Sequence, residues 1–245
     1  MDFSKLQELT KLGLGYNYFT GQFPKSLYSC KSLKAIRLSH NNLKGWIASD
    51  MLALQSLTFL AMGSIGLTNI SETIRILMHL KNLTVVVMTL NFINEELPNI
   101  DLVGLHNVQL LSFNCCQLTG QVPVWLKKLQ KLRVLELSDN QLKGSIPSWL
   151  GTLPSLFSIN LRDNLISREF PRTLTTLSAL QRNFPLTDHS YPDLPIIRPI
   201  PLPKFIRDAR RTYNQISNMQ PMIDLHNSNL CCSIPAEIGR LKRLM

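Results

Sequence analysis

The chain has 245 residues, 44% hydrophobic and 17% charged, with 26 Lys and Arg against 16 Asp and Glu for a net charge of +10. Such a composition can bury a large core and excludes a disordered chain, and with aromatics at only 7% that core must be mostly aliphatic. The longest apolar run, Leu83 to Leu90, is too short for a membrane-spanning helix, and the polar opening Met1-Asp2-Phe3-Ser4-Lys5 offers no apolar signal region.

Taken in chain order, one pattern, L-x-x-L-x-L-x-x-N-x-L, keeps returning. It reads Leu9, Leu12, Leu14, Asn17 and Phe19, then Leu33, Ile36, Leu38, Asn41 and Leu43. Leu57, Leu60, Met62 and Leu67 follow with Ile65 in the Asn slot, then Leu83, Val86, Met88, Asn91 and Ile93. Val108, Leu111, Phe113 and Leu118 carry Cys116 in that slot, and two clean copies come next, around Asn140 and Asn164. A last copy is Ile223, Leu225, Ser228 and Leu230. The slots at 17, 41, 65, 91, 116, 140 and 164 are 24, 24, 26, 25, 24 and 24 residues apart, and the final step to 228 is 64. A chance amphipathic pattern would drift; this one predicts stacked strand–turn–return units whose leucines form a continuous core.

Each slot has a physical reason. The Asn donates and accepts along the stack, pairing turn backbone groups that burial would otherwise leave without partners. Cys116 can imitate this weakly; Ile65 cannot, so a local break is expected there, costing about 1–3 kcal/mol if a backbone group stays unpaired. Behind the slot comes a second signature, G-x-φ-P, in Gly21 to Pro24, Gly120 to Pro123 and Gly144 to Pro147. Gly45-Trp46-Ile47 lacks the Pro, while Arg168 and Cys232 replace the Gly. The repeat length with this segment resembles the plant extracellular class of leucine-rich repeats. The fold expected is an α/β leucine-rich-repeat solenoid of that type with a non-repeat island insertion. Residues 1–176 hold repeats one to seven, 177–220 the island, and 221–245 repeat eight with the start of a truncated ninth.

The island carries six of the fourteen prolines and Arg182, Arg198, Lys204, Arg207, Arg210 and Arg211 against Asp188, Asp193 and Asp208. Its candidate strand, Leu194 to Ile200, places Pro195 and Pro199 on one edge, so only the other edge has a full set of donors for an added peptide strand. A proline-rich loop lying on the solenoid is the other reading, and both stay open here.

Further segments carry a closer resemblance: Ser29-Cys30-Lys31-Ser32-Leu33-Lys34, Thr89-Leu90-Asn91-Phe92, Leu118 to Pro123, Pro147 to Leu153, and Tyr213-Asn214-Gln215-Ile216 at the island exit. With these the chain resembles the plant receptors for tyrosine-sulfated peptides, namely the phytosulfokine and tyrosine-sulfated glycopeptide receptors and related kinase-lacking receptor-like proteins. The resemblance implies an extracellular region of a plant receptor at the plasma membrane. Its inner face and island would clamp a small secreted, tyrosine-sulfated peptide, with a co-receptor kinase of the somatic-embryogenesis type beside the island. Positions matching the phytosulfokine site are Ala61, Gly63, Thr89, Cys115, Glu136, Ile197 and Pro199; Thr89 alone is kept and Glu136 is a conservative change, which argues against phytosulfokine itself as the ligand.

The residues between the core leucines should line the concave surface as solvated side chains: Lys11, Arg37, Phe59, Ala61, Thr89, Ser112, Glu136, Asn160 and Arg162. Arg37 and Arg162 there, and Arg198 on the island, are the candidates for a sulfated group, since Arg offers a planar fork to such oxygens. Asn69-Ile70-Ser71 and Asn82-Leu83-Thr84 are sequons for glycosylation. The five cysteines are Cys30, Cys115, Cys116, Cys231 and Cys232; their spacing to histidines fits no zinc site, and adjacent cysteines are not expected to bridge each other. Hydrolase, nucleotide-binding and kinase motifs are missing, so no enzymatic activity, cofactor or metal is expected, and the basic balance lacks the interleaved aromatics of a nucleic-acid surface. The bare first and last repeats suggest a fragment. A secreted inhibitor or scaffold that binds another protein, or a truncated non-functional duplicate, is the alternative.

Overall fold

A computed structural model describes residues 2–181, 216 and 219–244. Eight short strands, one per repeat, form a single parallel sheet in chain order. They are β1 (Lys11–Gly13), β2 (Ala35–Arg37), β3 (Phe59–Ala61) and β4 (Val85–Val87), then β5 (Leu110–Ser112), β6 (Val134–Glu136), β7 (Ser158–Asn160) and β8 (Met222–Asp224). Like positions pair throughout: Ile36 opposite Leu60, Leu60 opposite Val86, Leu135 opposite Ile159. These central residues point inward and are fully buried, which is what the second leucine of each pattern is for.

The return segments are mostly single 3-10 turns, at Lys25–Ser29, Ser49–Ala53, Val124–Lys128, Ser148–Thr152, Arg172–Thr176 and Ala236–Arg240. Five of the six are entered from the proline of the second signature: Pro24, Pro123, Pro147, Pro171 and Pro235. A proline there gives up no hydrogen bond and presets the entry angle. One repeat differs. Where the slots lie 26 residues apart, a nine-residue helix, α1 (Ile70–Met78), replaces the 3-10 turn. The Asn69 side chain accepts from the Glu72 amide at 3.2 Å, and the Glu95 carboxylate accepts from the Asn69 and Ile70 amides at 2.8 and 2.7 Å, so a residue of the next repeat also secures this helix start.

The Asn slot works as a bridge between repeats. Asn140 donates to the carbonyls of Phe113 and Leu137, both at 2.9 Å, and accepts from the Leu118 amide at 2.9 Å. Cys116 makes a thin version of this, donating from Sγ to the carbonyls of Asn114 and Met88 at 3.3 and 3.5 Å. At Ile65 the two carbonyls that a slot Asn would serve keep partners. Asn91 donates to the Met62 carbonyl at 2.7 Å and Asn41 to the Leu38 carbonyl at 2.8 Å, so neighbouring repeats serve both acceptors, while Ile65 joins the core.

Two backbone positions are left-handed repeat after repeat. The residue before each slot has φ between 51° and 60°, from Tyr16 and His40 through Ser64, Leu90, Cys115, Asp139 and Asp163 to Asn227. The Gly position of the second signature is also positive, at Gly21, Gly45, Gly120 and Gly144 and, without glycine, at Asn69, Arg168 and Cys232. Only the second row carries glycine, which meets the conformation at no steric cost.

The solenoid closes across the insertion. β7 pairs with β8 in the same register as any other neighbours, and the side strand Leu165–Glu169 pairs with Asn229–Cys231. Farther back, α2 (Ser178–Gln181) receives the Arg243 guanidinium on the Ala179 carbonyl at 3.2 Å.

Candidate peptide-binding surface

The concave face is a grid of rows, because neighbouring parallel strands set like positions of successive repeats about 4.8 Å apart. The row at the strand starts runs Lys11, Ala35, Phe59, Val85, Leu110, Val134, Ser158 and Met222, apolar over its middle. The row at the strand ends runs Gly13, Arg37, Ala61, Val87, Ser112, Glu136, Asn160 and Asp224. Two residues farther on, beyond the strands, stand Gly15, Ser39, Gly63, Thr89, Asn114, Ser138, Arg162 and His226.

The expected residues lie on this grid, but not as solvated side chains. Phe59, Ala61, Glu136 and Asn160 are all at most 5% exposed, and Arg37 is 8% exposed. Each sits between like positions of its two neighbour strands. Lys11 is exposed, and Thr89, Cys115 and Arg162 are half-buried. Gly63 receives no side chain because there is little room: a Cβ would lie 3.1 Å from the Thr89 carbonyl oxygen. Its amide donates to Ser39 Oγ at 3.0 Å, and Thr89 Oγ1 lies 3.3 Å from Ser112 Oγ. Ile197, Arg198 and Pro199 lie outside the described residues, as does most of the island.

Glu136 anchors the polar centre. Its Oε2 accepts from Asn114 Nδ2 at 3.1 Å and from Asn160 Nδ2 at 2.9 Å, one amide from each adjacent repeat. Burial pushes its carboxyl up to about 7, against the pull of those two amides, with Asp224 adding to the rise. Asn114 Oδ1 then accepts from the Ser138 backbone amide at 3.0 Å. Arg162, one candidate for an anion, is already engaged: its Nε and a terminal nitrogen lie 2.8 and 2.7 Å from Asp163 Oδ2. Asp163 also accepts from Asn227 Nδ2 at 2.8 Å, across the insertion.

At the other end Arg37 lies over the Tyr16 ring, 5.8 Å from its centroid, and Tyr16 stacks on His40 at 4.4 Å. Desolvation first, then the Arg37 charge, pulls the His40 imidazole below its usual range. Asn114, Asp139 and Asp224 are polar-site residues that the sequence reading passed over. Asn114 and Asp224 directly follow the core residues Phe113 and Ile223, and Asp139 lies two places beyond Leu137; their signal lies down the stack instead of along the chain. Among the described residues no helix is long and apolar enough to cross a membrane. Of the sequons, Asn69 caps α1 and exposed Asn82 donates to the Gln55 carbonyl at 2.8 Å.

Comparisons with known proteins agree with this geometry. The family model for Leucine rich repeat matches residues 106–166. Receptor-like protein 3 of Arabidopsis thaliana is 41% identical over 100% of this chain and 32% of its own length. The chain is a leucine-rich-repeat protein whose sequence matches segments of plant receptors. Phytosulfokine receptor 1 of the same plant is 46% identical over 78% of this chain and 18% of its own length. The chain thus spans about a third or less of the curated relatives it matches. The ectodomain of the Arabidopsis receptor kinase HAESA, solved with the peptide hormone IDA and the co-receptor SERK1, superposes with a TM-score of 0.64 at 29% identity, over 72% of this chain and 30% of that one. The matched domain is a leucine-rich repeat, a binding scaffold and not a catalytic one.

Proposed function

We propose that this chain is part of the extracellular region of a plant receptor kinase or receptor-like protein, binding a small secreted peptide along its concave face with a sulfated tyrosine directed to Arg37. The observation that carries the reading is the polarity of that face. Arg37, Tyr16 and His40 gather over the first two repeats, whereas Asp139, Asp163 and Asp224 gather over the last three. A sulfate is drawn to the first group and repelled by the second, so Arg162, held by Asp163, contributes less than Arg37. Phe59, Ala61, Gly63, Thr89, Cys115 and Glu136 form the floor between them, and Ile197 and Arg198 of the insertion supply the remaining contacts. A co-receptor kinase of the somatic-embryogenesis type docks beside residues 177–220. Asn69 and Asn82 carry glycans. The names of the relatives and the HAESA complex with IDA and SERK1 support this reading.

The test is calorimetric titration of the secreted protein with a tyrosine-sulfated peptide and its unsulfated twin at two salt concentrations. Tighter, salt-weakened binding of the sulfated form, lost more in Arg37→Ala than in Arg162→Ala, is the expected result. Absence of binding to either peptide by folded protein overturns it.

A further inference from the structure

The chain contains the dipeptide Cys-Cys twice, and the fold treats the two copies differently. Cys116 occupies an Asn slot, so its sulfur turns into the core toward the Met88 and Asn114 carbonyls, while Cys115 stays half-buried outside. Burial first, then Asp139, pushes the Cys115 thiol up to about 12. That pair is divided between two environments and chemically quiet.

Cys231 and Cys232 are both exposed. Cys231 ends the side strand Asn229–Cys231, opposite Glu169, and Cys232 occupies the glycine position of the second signature with φ of 72°. Along a regular strand, successive side chains point to opposite faces. A left-handed residue cancels that alternation. The two sulfurs therefore come together on one side, 2.7 Å apart. Adjacent cysteines are not expected to bridge on disulfide geometry alone, and here the left-handed backbone of the repeat brings the two sulfurs to one side.

We propose that Cys231 and Cys232 form a reversible vicinal thiol–disulfide pair, closed by exchange with an external low-molecular-weight disulfide. Cys231, as thiolate, attacks one sulfur of that disulfide and expels a thiolate, leaving a mixed disulfide. The Cys232 thiol gives its proton to solvent, attacks the Cys231 sulfur and expels the second thiolate. The pair loses two electrons and two protons, and the external disulfide is reduced to two thiols. Cys232 is the resolving partner. Its thiol is pushed up to about 11, first by its hydrogen bond with Cys231, so it holds its proton beside the Cys231 sulfur.

Ring closure also fixes the left-handed turn that leads to Pro235 and the 3-10 turn Ala236–Arg240, a job glycine does in other repeats. Adjacent Cα atoms are about 3.8 Å apart, closer than the usual span of a bridge, so this one opens readily under reduction.

The experiment uses the full chain, reduced, then exposed to oxidised glutathione, unfolded, alkylated and mapped by mass spectrometry. The peptide holding both cysteines should be lighter by a pair of hydrogens, free of glutathione and resistant to alkylation until reduced. Cys231→Ser and Cys232→Ser should each retain one glutathione on the remaining cysteine, because the resolving thiol is gone. Both sites are exposed, so these variants leave the core intact. Glutathione retained on the unaltered chain, alkylation of both cysteines, or a bridge to another cysteine or a second chain would each overturn the proposal.

Discussion

Asn160 donates its side-chain amide to Glu136 from the neighbouring repeat at 2.9 Å, and Asn114 does the same from the other side. Two neutral donors hold a carboxyl group that is only 4% exposed. Folding therefore favours the protonated form. With the carboxyl raised to about 7 in the fold, the folded state binds more protons than the unfolded chain between the ordinary carboxylate range and neutrality. Its contribution is fully present below about pH 4.5 and is lost as pH rises through 7. Glu136→Gln, which keeps an acceptor for both amides, should be more stable than the parent at pH 8 by roughly 1–3 kcal/mol and nearly equal to it at pH 4.5. Urea unfolding at the two pH values checks this; an equal difference at both would remove the ionisation argument.

Asn91 serves both its own repeat and the defective one before it. It donates to the Met62 and Met88 carbonyls and accepts from the Leu67 and Ile65 amides. Asn91→Ala should destabilise by about 2–4 kcal/mol, since several buried backbone groups lose their partner at once. Asn17→Ala, at an exposed slot, should cost well under half of that in the same denaturation series.

Arg168 has φ of 81° and is exposed, in a position where four other repeats carry glycine. Arg168→Gly should stabilise by up to about 1 kcal/mol, the relief of a left-handed side chain less the added freedom of the unfolded chain. The reverse change, Gly120→Ala at φ of 93° with a Cβ 3.3 Å from the Leu97 carbonyl oxygen, should destabilise. Thermal melts of the pair read the two signs together.

Glu95 fastens α1 from the following repeat. Glu95→Ala removes two charge-assisted bonds, to the Asn69 and Ile70 amides, and should cost about 1–3 kcal/mol. Amide hydrogen exchange should speed up in α1 before it does in β3 or β4.

The leucine and asparagine slots were readable because burial demands the same residue at the same offset in every copy, and the strands fall where those offsets put them. α1 was not, although the 26-residue spacing that houses it was visible; a spacing shows that extra chain is present, not the shape it takes. The Glu136 network escaped for a different reason. Asn114 and Asn160 are each more than twenty residues from Glu136 along the chain, and only stacking the repeats makes them neighbours. The concave residues were placed on the correct face but expected to be solvated, because a pattern along one strand says nothing of how adjacent strands shield one another. The closeness of the Cys231 and Cys232 sulfurs was not legible, because it depends on the left-handed backbone at Cys232.

Asn160 and Asp224 are register partners although 64 residues part them, while other neighbours are parted by 24 to 26. The sheet thus keeps its register across the longer excursion between β7 and β8. Closing a longer excursion costs only about 0.6 kcal/mol per doubling of its length. A change in the length of that excursion therefore costs the fold little, so long as the core residues it contributes, such as Leu174 and Leu180, are kept.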